Sequence, residues 1–169
     1  YVNDKNYVAW GRGEQWNKNS SLTPVKGFSY DLLSSEVVTE RLSVKNGKLV
    51  LPDGMSYKLL VVDLDEQEIP VEVLKKITVL VREGATVILG QNKPVRAPGI
   101  SNFPECDKEI INMADELWSN TTEKMPGRKM GKGRIYTGTK MKEILMQENI
   151  LPDFEGPFEY IHRSSDYLD

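Results

Sequence analysis

The order of apolar and polar positions in residues 57–90, YKLLVVDLDEQEIPVEVLKKITVLVREGATVILG, spells one strand–helix–strand unit. Leu59, Leu60, Val61 and Val62 form an unbroken apolar run, which marks a strand covered on both faces rather than one with a wet side. Asp63 ends it. Pro70 suits a first helical turn because its missing N–H needs no partner there, and Val73, Leu74, Ile77, Leu80 and Val81 then recur at helical spacing. Gly84 fits the left-handed position after a helix, and residues 85–89 (ATVIL) make a second apolar run of strand length. Two buried strands joined by an amphipathic helix predict a parallel, right-handed crossover.

The same reading extends outward. Residues 6–10 (NYVAW) predict a first strand, followed by a Gly-, Asn- and Ser-rich loop. Ser34 or Ser35 can cap a helix whose core side is Val37, Val38, Arg41 and Leu42. Val44-Lys45-Asn46-Gly47-Lys48-Leu49 predicts a β-hairpin, since Asn-Gly tolerates the positive φ angles of a type I′ turn. After Gly90 a proline-rich loop leads to a helix with Ile110, Ile111, Ala114, Leu117 and Trp118 inside. Residues 119–132 (SNTTEKMPGRKMGK) read as a mobile polar loop and residues 133–138 as a short strand. Thr139 then caps a helix with Met141, Ile144 and Leu145 inward, and Phe158, Tyr160 and His162 alternate as in a strand. Strands alternating with helices predict an α/β three-layer sandwich on a mainly parallel sheet, with the hairpin as a small insertion.

Composition narrows the function more than the fold. The 169 residues suffice for one sizeable core. A net charge of −3 argues against a nucleic-acid partner, which calls for a strongly basic face. No apolar run approaches the roughly 18 residues of a membrane span, so no membrane partner is expected. One cysteine excludes an internal disulfide and a multi-cysteine metal site. A chain that opens on Tyr1 and closes on Asp169 suggests an excised segment.

In a parallel sheet, function gathers beyond the carboxyl ends of the strands. The candidate substrate-binding residues there are Glu14, Asp63, Lys93 and Arg96. Each also has a plainer reading: Asp63 as a strand terminator, Lys93 and Arg96 as solvated or loop-tying cations. Gly11-Arg12-Gly13 is a poor phosphate loop, lacking a third glycine and a Lys-Ser/Thr pair. Asn19-Ser20-Ser21 and Asn120-Thr121-Thr122 match the glycosylation sequon, a pattern that chance often produces in polar loops. Cys106 lies in FPECDKE beside Glu105 and Asp107, whose charge opposes a thiolate, and no strand-to-helix elbow of the form G-x-C-x-G surrounds it. It is expected to be inert, and no catalytic or metal-binding residue is assigned.

Read together, residues 27–63 (GFSYDLLSSEVVTERLSVKNGKLVLPDGMSYKLLVVD), residues 70–118 (PVEVLKKI through ADELW), GKGRIYTG and LPDFEGPFEYIHRSSDYLD resemble consecutive blocks of the bacterial α-L-rhamnosidase family of glycoside hydrolases. Residues 1–26 match poorly. The resemblance implies a parent enzyme that removes terminal α-L-rhamnose from plant-type polysaccharides, with paired carboxylates and a calcium ion on a (β/α)-barrel flanked by β-sandwich modules. It implies that residues 1–157 are the class I glutamine amidotransferase-like (flavodoxin-like) α/β domain following that barrel. Residues 158–169 would begin a β module or linker, and His162, lying in that linking block, joins the candidate substrate-binding residues because clefts form at module junctions. The family's catalytic carboxylates have no matching positions here, so the expectation is a non-catalytic accessory domain without its own cofactor. Its partners would be the barrel and sandwich modules of the same chain, with carbohydrate as a further ligand, in a periplasmic or secreted bacterial protein. The alternative is a stand-alone amidotransferase-like or nucleotide-binding doubly wound domain.

Overall fold

The computed structural model describes residues 4–10 (as backbone), 22, 25, 27–64, 66–119, 127–137 and 141–152. Among the described residues, eight strands form one mixed sheet: β1 (Asp4–Trp10), β2 (Tyr30–Leu33), β3 (Ser43–Lys45), β4 (Lys48–Val50), β5 (Ser56–Val62), β6 (Thr86–Leu89), β7 (Gly127–Met130) and β8 (Gly133–Thr137). The main path runs β2-β1-β5-β6-β8-β7. Its first five strands pair in parallel, whereas β7 pairs antiparallel with β8, and the β3–β4 hairpin joins β5 antiparallel. Among the described residues, three α-helices connect or follow these strands: α1 (Val71–Glu83), α2 (Glu105–Trp118) and α3 (Met141–Gln147).

The β5–α1–β6 unit is where the apolar pattern places it. Leu60 stands opposite Val87 and Val62 opposite Leu89 in parallel register. Side chains of a strand alternate between faces. Leu60, Val62, Val87, Leu89 and Ile135 accordingly pack with Val73, Leu74, Ile77, Leu80 and Val81 of α1 and with Ile110 and Leu117 of α2. Leu59, Val61, Ile88 and Tyr136 pack on the opposite face with Met141, Ile144 and Leu145 of α3. Cover on both sides is the physical reason that β5 reads as a continuous apolar run. Gly84 ends α1 with φ +133°, a conformation L side chains rarely adopt, and its N–H donates to the carbonyls of Leu80 and Val81.

Several expectations are corrected. The helix predicted near residues 37–42 is a five-residue π-helical turn, Val37–Arg41. Val38 and Leu42 are buried there, but Arg41 is exposed and pairs with Asp53 at 3.4 Å. Thr39 diverts its hydroxyl to the carbonyls of Ser35 and Glu36, the local competition that makes such residues poor helix formers. Residues 30–33, given no strand in the sequence reading, form the edge strand β2. Part of the segment expected to be a polar loop is β7, which turns through Gly131 and Lys132 into β8 and buries Met130. Ile111, expected inside, is 41% exposed on the outer side of α2. The Asn46-Gly47 hairpin forms as expected, with φ of 53° and 77° at its two turn residues. Thr139 and residues 158–162 lie outside the described residues.

Candidate functional site

Because β5 and β6 run parallel, their carboxyl ends open on one edge of the sheet, and the loops that leave them are laced together. Asn92 donates through its amide nitrogen to the Leu64 carbonyl at 2.7 Å, and Gln67 donates to the Lys93 carbonyl at 3.2 Å. The backbone N–H groups of Val95 and Ile69 donate to the carbonyls of Gln67 and Arg96 at 2.9 and 3.2 Å. Glu68 and Arg96 form a parallel bridge. The two loops thus continue the β5–β6 pairing past the end of the sheet as a short braced ledge.

Asp63 stands at the root of this ledge, half-buried. Its carboxylate lies over Gly90, whose N–H donates to the Val62 carbonyl at 2.8 Å. A Cβ at residue 90 would come within 2.5 Å of Asp63 Oδ1, so glycine here makes room for the carboxylate. The indole N–H of Trp118, at the last turn of α2, donates to the Gly90 carbonyl at 2.9 Å and fixes the turn from the far side. Gly90, Asn92 and Trp118 were not singled out as site residues in the sequence. The one available signal was a glycine directly following an apolar run.

The two candidate cations are engaged. The Lys93 ammonium pairs with Asp115 of α2, and Arg96 pairs with Glu68 at 3.4 Å and Glu66 at 3.8 Å. Such exposed pairs contribute about 0–1 kcal/mol each, so they steady the loops rather than hold up the fold. Asp63, Lys93 and Arg96 therefore share one edge. Glu14 and His162 lie outside the described residues, as do Gly11-Arg12-Gly13 and both sequons.

Cys106 sits in the first turn of α2, 4% exposed, as a free thiol. Burial pushes its pKa up, and the neighbouring Asp107 carboxylate, which also accepts a weak bond from Sγ at 3.6 Å, pushes the same way. Asp107 is occupied in addition by the Ala97 N–H at 2.9 Å. A thiol so placed lacks the electropositive surroundings of a nucleophile.

Among the described residues, no three His, Cys, Asp or Glu side chains gather to hold a metal ion. No helix among them is long and apolar enough to cross a membrane.

A family model described as alpha-L-rhamnosidase, of the glycoside hydrolases, matches residues 7–169. Among solved structures, the rhamnosidase from Novosphingobium sp. PP1Y is similar, with a TM-score of 0.69 and 24% sequence identity. The match covers 88% of this chain and 14% of that one, so the chain corresponds to a small part of that enzyme's length. No curated protein matches. With the family model spanning nearly the whole chain, from within β1 to the last residue, this protein belongs to the alpha-L-rhamnosidase family of glycoside hydrolases.

Proposed function

We propose that this chain acts as a non-catalytic α/β module of a larger rhamnosidase-type glycoside hydrolase, bordering the sugar-binding region with its carboxyl edge. Glycoside hydrolysis requires two carboxyl groups facing each other across a cleft, one to protonate the leaving oxygen and one to activate water or attack carbon. The observation that carries the reading is that, among the described residues, four acids around this edge are committed elsewhere: Asp115 to Lys93, Glu66 and Glu68 to Arg96, Asp107 to the Ala97 N–H. Groups held this way brace loops.

The finer fold assignment is part of the proposal. Numbered by chain order, the five parallel strands β1, β2, β5, β6 and β8 lie as 2-1-3-4-5. That order supports a flavodoxin-like, doubly wound sheet of the class I amidotransferase type. In such sheets ligands collect where the strand order reverses, which here is between β1 and β5. Asp63 follows β5 at that point, and Glu14 comes four residues after β1 in the sequence. Asp63, Glu14, Lys93, Arg96 and His162 remain the residues proposed to meet sugar, with Asp63 first because a carboxylate accepts hydroxyl hydrogen bonds strongly. The whole enzyme would act on rhamnose-bearing plant polysaccharide as a secreted or periplasmic bacterial protein, with barrel and β-sandwich modules as partners.

The test is hydrolysis of an aryl α-L-rhamnoside by the purified chain, alongside a thermal melt with rhamnose. No turnover is expected, together with a melting shift that disappears in Asp63→Ala. Turnover abolished by Asp63→Asn or Glu14→Gln would overturn the non-catalytic reading.

A further inference from the structure

Beyond the ledge, the chain makes a turn at residues 97–104, APGISNFP, eight consecutive residues without a charge in a protein whose charged content is 28%. Ile100 is 89% exposed and Phe103 65% exposed, and Val95 on the ledge is 42% exposed. The turn has a defined shape: the Phe103 N–H donates to the Ile100 carbonyl at 3.3 Å, and Gly99 and Asn102 take positive φ angles of 84° and 58°. It is also anchored at both ends. The Ala97 N–H is held by Asp107 at 2.9 Å, and the Asn102 carbonyl accepts the Cys106 N–H at 3.0 Å. The chain has therefore fixed its backbone here in a form that presents two large apolar side chains to water.

We infer that this turn, with Val95, is the surface through which the module docks onto another module of the same polypeptide. Three observations favour that occupant. An uncharged apolar centre flanked along the chain by charged residues, here Arg96 before it and Glu105 after it, matches the composition of a protein interface and carries no cationic surplus for an anionic partner. A pre-shaped backbone loses little further entropy on docking, which suits a permanent contact. The similar unit in the Novosphingobium rhamnosidase is 14% of its chain, so a unit of this kind there shares a polypeptide with about six times its own length of other protein. The inference rests on the proposal that this chain is a module of a larger enzyme. Aromatic anchors such as Phe103 carry most of the energy of such contacts.

The experiment uses the full-length polypeptide carrying this chain. Ser101→Cys places a thiol in the middle of the turn, and the buried Cys106 leaves it as the accessible one in this module for attachment of a photo-crosslinker. Capture of a peptide outside residues 1–169 of the same molecule is expected. Capture of residues 1–169 from a second copy, or no capture, would overturn the inference. In parallel, Ile100→Glu/Phe103→Glu is expected to speed limited proteolysis between modules at least tenfold, while the melting temperature of the 169-residue chain stays unchanged because both side chains are exposed. Equal proteolysis rates in variant and parent would refute the docking site. That failure is separable from failure of the proposed function, which is read by rhamnoside turnover of the chain alone.

Discussion

Replacing Gly90 with alanine tests whether Asp63 is held where the packing of the sheet edge puts it. The new Cβ would stand 2.5 Å from Asp63 Oδ1 but 3.4 Å from Asp63 Cα and from the Val62 oxygen. Only the carboxylate is in conflict, by about 1 Å relative to ordinary contact at roughly 3.5 Å. Gly90 does not adopt a positive φ, so alanine meets no backbone strain. Rotating Asp63 off its rotamer costs about 0.5–1.5 kcal/mol. Against this, alanine restricts the unfolded chain and recovers about 0.4–1 kcal/mol. The single variant is thus expected to be neutral to about 1 kcal/mol less stable than the parent. In an Asp63→Ala background the clash is gone, and the same substitution is expected to stabilise by about 0.4–1 kcal/mol. Urea unfolding of the parent, both single variants and the double variant gives the coupling as a difference of differences, expected at about 0.5–1.5 kcal/mol with unchanged m values. If Gly90→Ala has the same effect in both backgrounds, Asp63 does not lie over Gly90, and the site loses its central residue.

Tyr136 is buried with its hydroxyl donating to Glu148, itself paired with Arg134 at 3.0 Å; burial, reinforced by Glu148, pushes the phenol up to about 12. The folded-state value exceeds the free tyrosine value of roughly 10, so this contribution to stability is complete below that pH and is lost as the pH rises toward about 12. Tyr57, buried beside Asp31, is shifted in the same direction. Tyr136→Phe should lower stability by about 1.5–3 kcal/mol near neutral pH and remove part of the alkaline decline, read by melts across the range; an unaltered decline would exclude Tyr136 as its source. Cys106 should react with iodoacetamide at least tenfold more slowly than a cysteine peptide, and labelling faster than the peptide would contradict its burial. Ile77→Ala, at a fully buried position of α1, should cost about 2–5 kcal/mol in urea unfolding, whereas Lys93→Ala should cost about 1 kcal/mol or less; equal losses would mean that the ledge is part of the core.

Local sequence was sufficient wherever a segment carries its own period or its own turn chemistry. Residues 59–62 and 85–89 lack alternation because both faces are covered, α1 repeats its apolar positions every three or four residues, and Asn46-Gly47 can take two positive φ angles cheaply. Those features alone placed the strand–helix–strand unit, the hairpin and the carboxyl edge bearing Asp63, Lys93 and Arg96. Tertiary structure decided what depends on partners distant in the chain. β2 is four residues whose strand character comes from pairing with β1, and β7 is a polar strand that exists because β8 lies antiparallel beside it. The same holds for the site. That Gly90 is bare because a carboxylate 27 positions earlier occupies its space, that Trp118 reaches back to the Gly90 carbonyl, and that Lys93 and Arg96 are committed to Asp115, Glu68 and Glu66 are facts of proximity. A linear pattern records which side chains want to be buried or turned. Which of them meet is set by how the strands are ordered across the sheet, and neighbours more than 20 residues apart leave no period in the sequence.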